Sequence, residues 1–289
     1  MNNNKNLAQR ILYFPLTKIV VGIAACFIVY IITQAAVNLM PLNEELKSLT
    51  VASISAALVL AAYVTLYKFY EKRKIIELST KGFAKNIIAG VLLGAALQAL
   101  TIYVIYLNHG FAIIAVNRLV YILPALGISI SAAVLEEILF RGIIFRIAEE
   151  KLGSYIALAI SAFIFGAAHL ANPNSTLITA SGIAIQAGLL LGAAYIYRRN
   201  LWFPIALHFS WDFTQSGIFG ATMSGNTIGK SLLTTKIEGS TLITGGPFGP
   251  EGSLQATLFC LSAAIILMIV NRRQHKIIKP YWIKKDAGY

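Results

Sequence analysis

The sequence predicts an all-α polytopic membrane helix bundle of about eight transmembrane helices. Three observations predict it. Hydrophobic types make up 57% of the 289 residues and charged types 12%, about half the charge density of a soluble globular domain. Apolar runs of about 20 residues, the length that crosses a hydrocarbon core, recur along the chain. The basic residues fall in clusters between those runs. This pattern excludes disorder, collagen-like fibres and coiled coils. It also turns the net charge of +12 away from nucleic acid, whose binders present a polar, charged face.

Eight stretches come near a span: residues 19–40, 48–67, 86–107, 119–148, 154–171, 176–197, 201–219 and 254–270. The first is long enough to cross and reads as a span, not a cleaved leader. The fourth is long for one crossing, so its far end is expected to project into water; the fifth is short. Cys26 and Cys260 lie inside apolar runs and are expected to pack there. Gly90 with Gly94, and Gly188 with Gly192, have the spacing that lets membrane helices approach closely. The chain divides into a three-span region (1–118), a helical core (119–219), and a last part (220–289) holding a Gly-rich outer loop, the final span and a basic tail. All three form one membrane domain.

The basic clusters orient the bundle. Lys5, Arg10 and Lys18 precede the first span, and Lys68, Lys72, Arg73, Lys74, Lys81 and Lys85 follow the second. Arg146 and Lys151 close the fourth, Arg198 and Arg199 follow the sixth, and Arg272 to Lys285 follow the eighth. With eight spans all of these share one side. The other side holds only Lys47, Arg118, Lys230 and Lys236. The positive-inside rule then places both termini in the cytoplasm, with the basic loops against anionic headgroups of the bilayer.

A few polar residues break the apolar pattern, and an ionisable group inside a span is a functional hypothesis by default. The fourth span carries Glu136, Glu137 and Arg141. Glu137 and Arg141 are four apart and share a helix face, so they can pair. Glu136 points about 100° away and is free for another partner. The fifth span carries Phe165 and His169, and the seventh carries His208 and Asp212, again four apart. Each set alone has a plain reading as packing glue. At 1.5 Å per residue, Glu136, His169 and Asp212 all lie about 18–23 Å from the cytoplasmic ends of their helices, and His208 about 12 Å. Independent packing contacts have no reason to align in depth this way.

Carboxylates, two imidazoles and a guanidinium in a bundle core suit water activation: a base takes the proton, and donors hold the oxyanion. Two histidines with a carboxylate and a water would also make an open zinc site, drawn from Glu136, His169, His208 and Asp212. The HExxH zinc signature is absent. The residues leave metal and metal-free chemistry open.

The ordered motifs EExxxR (Glu136–Arg141), FxxxH (Phe165–His169) and HxxxD (His208–Asp212) resemble those of the CPBP family of CAAX prenyl endoproteases and bacteriocin-processing (Abi) proteins. The resemblance covers about residues 126–217. It implies an intramembrane peptidase acting on a membrane-associated protein or peptide. It implies that Glu136 and His169 activate water, that His208 and Asp212 hold an oxyanion or Zn2+, and that Arg141 pairs with Glu137. Eukaryotic CAAX enzymes carry Asn at the last position. Asp212 is an acid there, and when ionised it cannot donate to an oxyanion. The resemblance also implies a bacterial cell membrane. Two rivals remain. An ion-coupled transporter should show repeats or unwound half-helices, and neither is legible. A silent adaptor or immunity protein of the same fold would have no need of the intact motifs.

Residues 217–253 are polar and hold nine Gly. They read either as a flexible linker or as a lid or re-entrant loop, shaped by the Gly-Pro pairs of 245–252. Gly225–Ser231 imitates a phosphate loop but is one residue short and follows no predicted strand.

Overall fold

The computed structural model describes residues 6–227 and 229–284; Lys5 and Lys285 of the basic clusters lie outside them. Helices α1 (Pro15–Asn38), α2 (Glu44–Tyr70) and α3 (Phe83–Leu107) come first. α4 begins at Leu123, holds α geometry to Glu137 and widens into π turns over Ile138–Phe145. It runs on to Gly153, where φ 76° and ψ 168° break it, and α5 covers residues 154–168. α6 spans Leu177–Arg198 with a π stretch at Ala184–Leu189. α7 is Trp202–Phe213, followed by π turns at Thr214–Ile218, and α8 is Leu254–Arg273. Among the described residues, six helical runs are long and apolar enough to cross a membrane. One of them, Leu119–Ala171, is split by the Gly153 break, and α7 supplies the remaining expected segment.

Local chemistry sets the helix starts. Asn43 accepts from the Leu46 N–H at the head of α2, and Ser253 accepts from Ala256 N–H at the head of α8. Pro15 stands where its missing N–H costs nothing. The small-residue pairs do what their spacing predicts. A Cβ on Gly90 would sit 2.6 Å from the Phe203 carbonyl oxygen and 2.9 Å from the Leu207 nitrogen, so α3 lies backbone to backbone on α7. Gly188 of α6 is as close to Ala162 of α5.

One end of the bundle is tied by charge. Lys18 pairs with Glu71 (3.0 Å), Arg146 with Glu71 (2.9 Å), and Arg199 with Glu149 (2.5 Å). Arg73 pairs with Glu77 (2.5 Å), whose carboxylate also accepts from the Tyr63 hydroxyl. Arg199 donates to the Lys276 carbonyl (2.5 Å), and Ser154 N–H to the Ile278 carbonyl (2.9 Å). These residues come from the first turn of α1, after α2, the α4–α5 junction, after α6 and after α8. They are the segments that eight spans place on one side. Near the far end of α4, Arg146 is 8% and Glu149 4% exposed, because opposite charges from neighbouring loops meet them there, while Glu150 and Lys151 beyond them are exposed.

The opposite end holds a feature that hydropathy did not predict. β1 (Phe111–Val116) pairs antiparallel with β2 (Leu233–Ile237), with an irregularity in register between Ile113 and Ala115. The ribbon ties the outer end of α3 to the loop between α7 and α8.

Candidate functional site

α4, α5, α6 and α7 bring their polar residues together. Glu137 and Arg141 are both fully buried and pair at 2.7 Å, as their spacing predicts. The Arg141 guanidinium also donates to the carbonyls of Ala187 (2.7 Å) and Gly188 (3.3 Å) and lies 4.7 Å from the Phe165 ring centroid. Those two carbonyls belong to the π stretch of α6. The widened turn presents them to a cation that would otherwise be stranded in apolar surroundings.

His208 sits among three carboxylates. Its Nδ1 is 3.0 Å from Glu137 Oε1; its Nε2 is 3.5 Å from Asp212 Oδ2 and 3.9 Å from Glu136 Oε2. The spacing of four predicted Asp212 as the partner of His208. The nearer partner is Glu137, which no local spacing could reveal. Glu137 is sealed, whereas the Glu136 side chain is 28% exposed. Glu136 Oε2 accepts no hydrogen bond.

His169 closes the end of α5. Its Nδ1 lies 2.8 Å from the Phe165 carbonyl oxygen, and its ring centroid is 4.6 Å from that of Phe165. With Nδ1–H given to that carbonyl, Nε2 is left as the acceptor. His169, His208 and Asp212 line one cavity with about 40 Å³ of room for water. No hydrogen bond or ion pair joins His169 to Glu136 among the described residues. Glu136 reaches the site through its approach to His208.

Two residues in the cavity were not among the sequence candidates. Gln186 of α6 lines it and donates to the Glu251 carbonyl oxygen (2.7 Å) and to Thr257 Oγ1 (2.8 Å). Glu251, in the loop before α8, lines it as well and is 3% exposed. The only signal for Glu251 was an acid inside the Gly-Pro run. The loop therefore folds back onto the site. Gly225, at the head of the stretch that imitates a phosphate loop, instead donates its N–H to the Phe248 carbonyl (2.8 Å) within this loop.

Among the described residues, no three His, Cys, Asp or Glu side chains converge to hold a metal ion. Nδ1 of His208 faces Glu137 and Nδ1 of His169 faces a backbone carbonyl, which leaves Nε2 of each ring as the nitrogen turned to chemistry in the cavity.

Carboxylates, imidazoles and a guanidinium from several helices thus meet inside an apolar helix bundle. Residues 118–214 match the family described as type II CAAX prenyl endopeptidase Rce1-like. That segment contains all three motifs, and over it the chain is similar to CAAX-type proteases, which are peptide hydrolases. No curated protein and no solved structure matches the chain.

Proposed function

We propose that this intramembrane endopeptidase cleaves a peptide bond of a membrane-associated protein or peptide with water activated by Glu136 and His169, and without a metal. The observation that carries the reading is the convergence on one imidazole. His208 lies within 4 Å of Glu136, Glu137 and Asp212, in a cavity it shares with His169. Of the two motif glutamates, Glu136 is the one not sealed in the bundle, its side chain 28% exposed against 0% for Glu137. Glu137 is occupied by Arg141 and His208.

In this reading Glu136 accepts a hydrogen bond from the attacking water, and His169 Nε2 takes the water's other proton as that O–H bond breaks. The hydroxide adds to the carbonyl carbon, and the oxyanion is met by a protonated His208 through Nε2–H. Asp212 orients His208 as an acceptor and does not itself donate. Glu137, held by Arg141, fixes the other face of the imidazole. Collapse breaks the C–N bond, and the proton passes to the leaving amine.

The test uses purified protein in lipid nanodiscs and a quenched-fluorescent peptide ending in a farnesylated CAAX sequence. Glu136→Ala and His169→Ala should each lower kcat by about 10²–10⁴. Wild-type cleavage by both would sink the mechanism. Incubation with a strong chelator should leave the rate unchanged; loss of activity that zinc restores would overturn the metal-free reading.

We also assign the charge-tied end of the bundle to the cytoplasm, with both termini there, because the excess of Lys and Arg lies at that end. A cysteine at position 230 should react with an impermeant maleimide from outside intact cells. Protection there, with labelling only after lysis, would reverse the orientation.

A further inference from the structure

Glu251 comes from outside the matched segment and belongs to no motif. It is 3% exposed and lines the same cavity as His169, His208, Trp211 and Asp212. Its placement is built into the loop. The backbone is left-handed at Gly245 (φ 76°), Gly246 (φ 59°) and Gly249 (φ 109°), where side chains are strained. A Cβ on Gly249 would collide with the Thr222 carbonyl. Gln186 pins the Glu251 carbonyl from α6, and the Ser224 N–H donates to its carboxylate. That last bond needs only an acceptor, which a neutral Gln would supply. A carboxylate adds charge, and burying charge costs several kcal/mol unless something answers it.

We propose that Glu251 is a positioning residue of the active site, a carboxylate delivered by the loop between α7 and α8 that acts through His169. The inference rests on the water-activation reading. When His169 takes a proton from water, an O–H bond breaks, an N–H bond forms on Nε2, and an imidazolium appears in the cavity. Glu251 offsets that charge from across the cavity. The same anchors keep it there before substrate arrives, so the field is preorganised.

The test is a double-mutant cycle on the farnesylated CAAX peptide. Glu251→Gln preserves the acceptor for Ser224 and removes the charge. It should lower kcat at least about tenfold, change KM by less than about twofold, and melt at the parent temperature. Glu251→Asp should recover part of the loss. In a His169→Ala background, Glu251→Gln should cost nothing further, because the group it serves is gone. Losses that add in the double variant overturn the inference. So does a Gln variant that melts early and loses activity in step, which would make the carboxylate a loop fastening. Wild-type kcat in Glu251→Gln, with Glu136→Gln inactive, overturns the inference and leaves the water-activation reading standing. Wild-type cleavage by Glu136→Gln and His169→Ala sinks that reading instead.

Discussion

Arg141 shows how much one residue can carry inside a membrane bundle. It neutralises Glu137, takes two carbonyls of α6 and covers the face of Phe165. Removing it would leave Glu137 buried with His208 as its remaining partner and two α6 carbonyls without their donor. Arg141→Ala should therefore cost about 3–5 kcal/mol of stability, read as an early melt in detergent. Arg141→Lys keeps the charge but loses the fork that reaches Glu137 and the carbonyls together, and should fall between. A melt for Arg141→Ala at the parent temperature would show that the pair is idle. The pair was legible because residues four apart meet on any helix. The contact of His208 with Glu137 was not, because it joins α4 to α7. Glu251 was less legible still. Its place depends on three left-handed glycines and two anchors, and none of these leaves a periodic trace.

Helices were legible where length and hydropathy alone decide them. The Gly153 break lies between the fourth and fifth expected spans, yet helix runs almost continuously through it. The π stretches in α4 and α6 were invisible to a pattern that assumes 3.6 residues per turn. Phe111–Val116 was passed over as an outer loop, although its Ile- and Val-rich run suits a strand. Small-residue spacing gave the clearest element-level result, since α3 meets α7 at Gly90 and Gly94. A Cβ on Gly94 would run into Ser210 Oγ and the Leu207 carbonyl, with the Trp211 nitrogen 3.1 Å away. Gly94→Val should push α7 outward with His208 and Asp212 and lower kcat at least tenfold, roughly the cost of a displacement near 1 Å. Gly192→Ala meets the flexible end of Leu158 and should keep cleavage within about twofold of the parent. Equal activity in the two variants would show that this close approach does not position the site.

Across the whole molecule, the charge-tied end makes a prediction about acid. Burial alone would push the Glu71 and Glu77 carboxyls up. Arg146, Lys18 and Arg73 around Glu71, and Arg73 with Tyr63 around Glu77, outweigh it and hold both below the ordinary carboxylate range. A carboxyl with a lowered folded value binds fewer protons when folded. Its stabilisation is complete above the unfolded value of about 4.3 and is lost as pH falls through the lower folded value. Thermal melts should thus be flat in this contribution from pH 7 to about 4.5 and fall below it. Glu71→Gln should lower the neutral-pH melt and flatten the acid limb; an unaltered acid limb would remove Glu71 from the cause. The parity of the spans was legible from basic clusters because the loops they occupy do meet. Which charges pair was not, since five separate segments contribute.

The outer ribbon has a consequence for how this protein tolerates sequence change. None of its strand residues lines the catalytic cavity among the described residues, and Ile113, Ile114 and Val116 are mostly exposed. Point changes there should pass with little effect. The ribbon nonetheless sets where the chain leaves Ile237 and starts toward Glu251, and a strand shifted by one residue turns every side chain to the opposite face. A library of single-codon deletions and insertions should find β1 and β2 as sensitive as the motifs, while a substitution library finds them permissive.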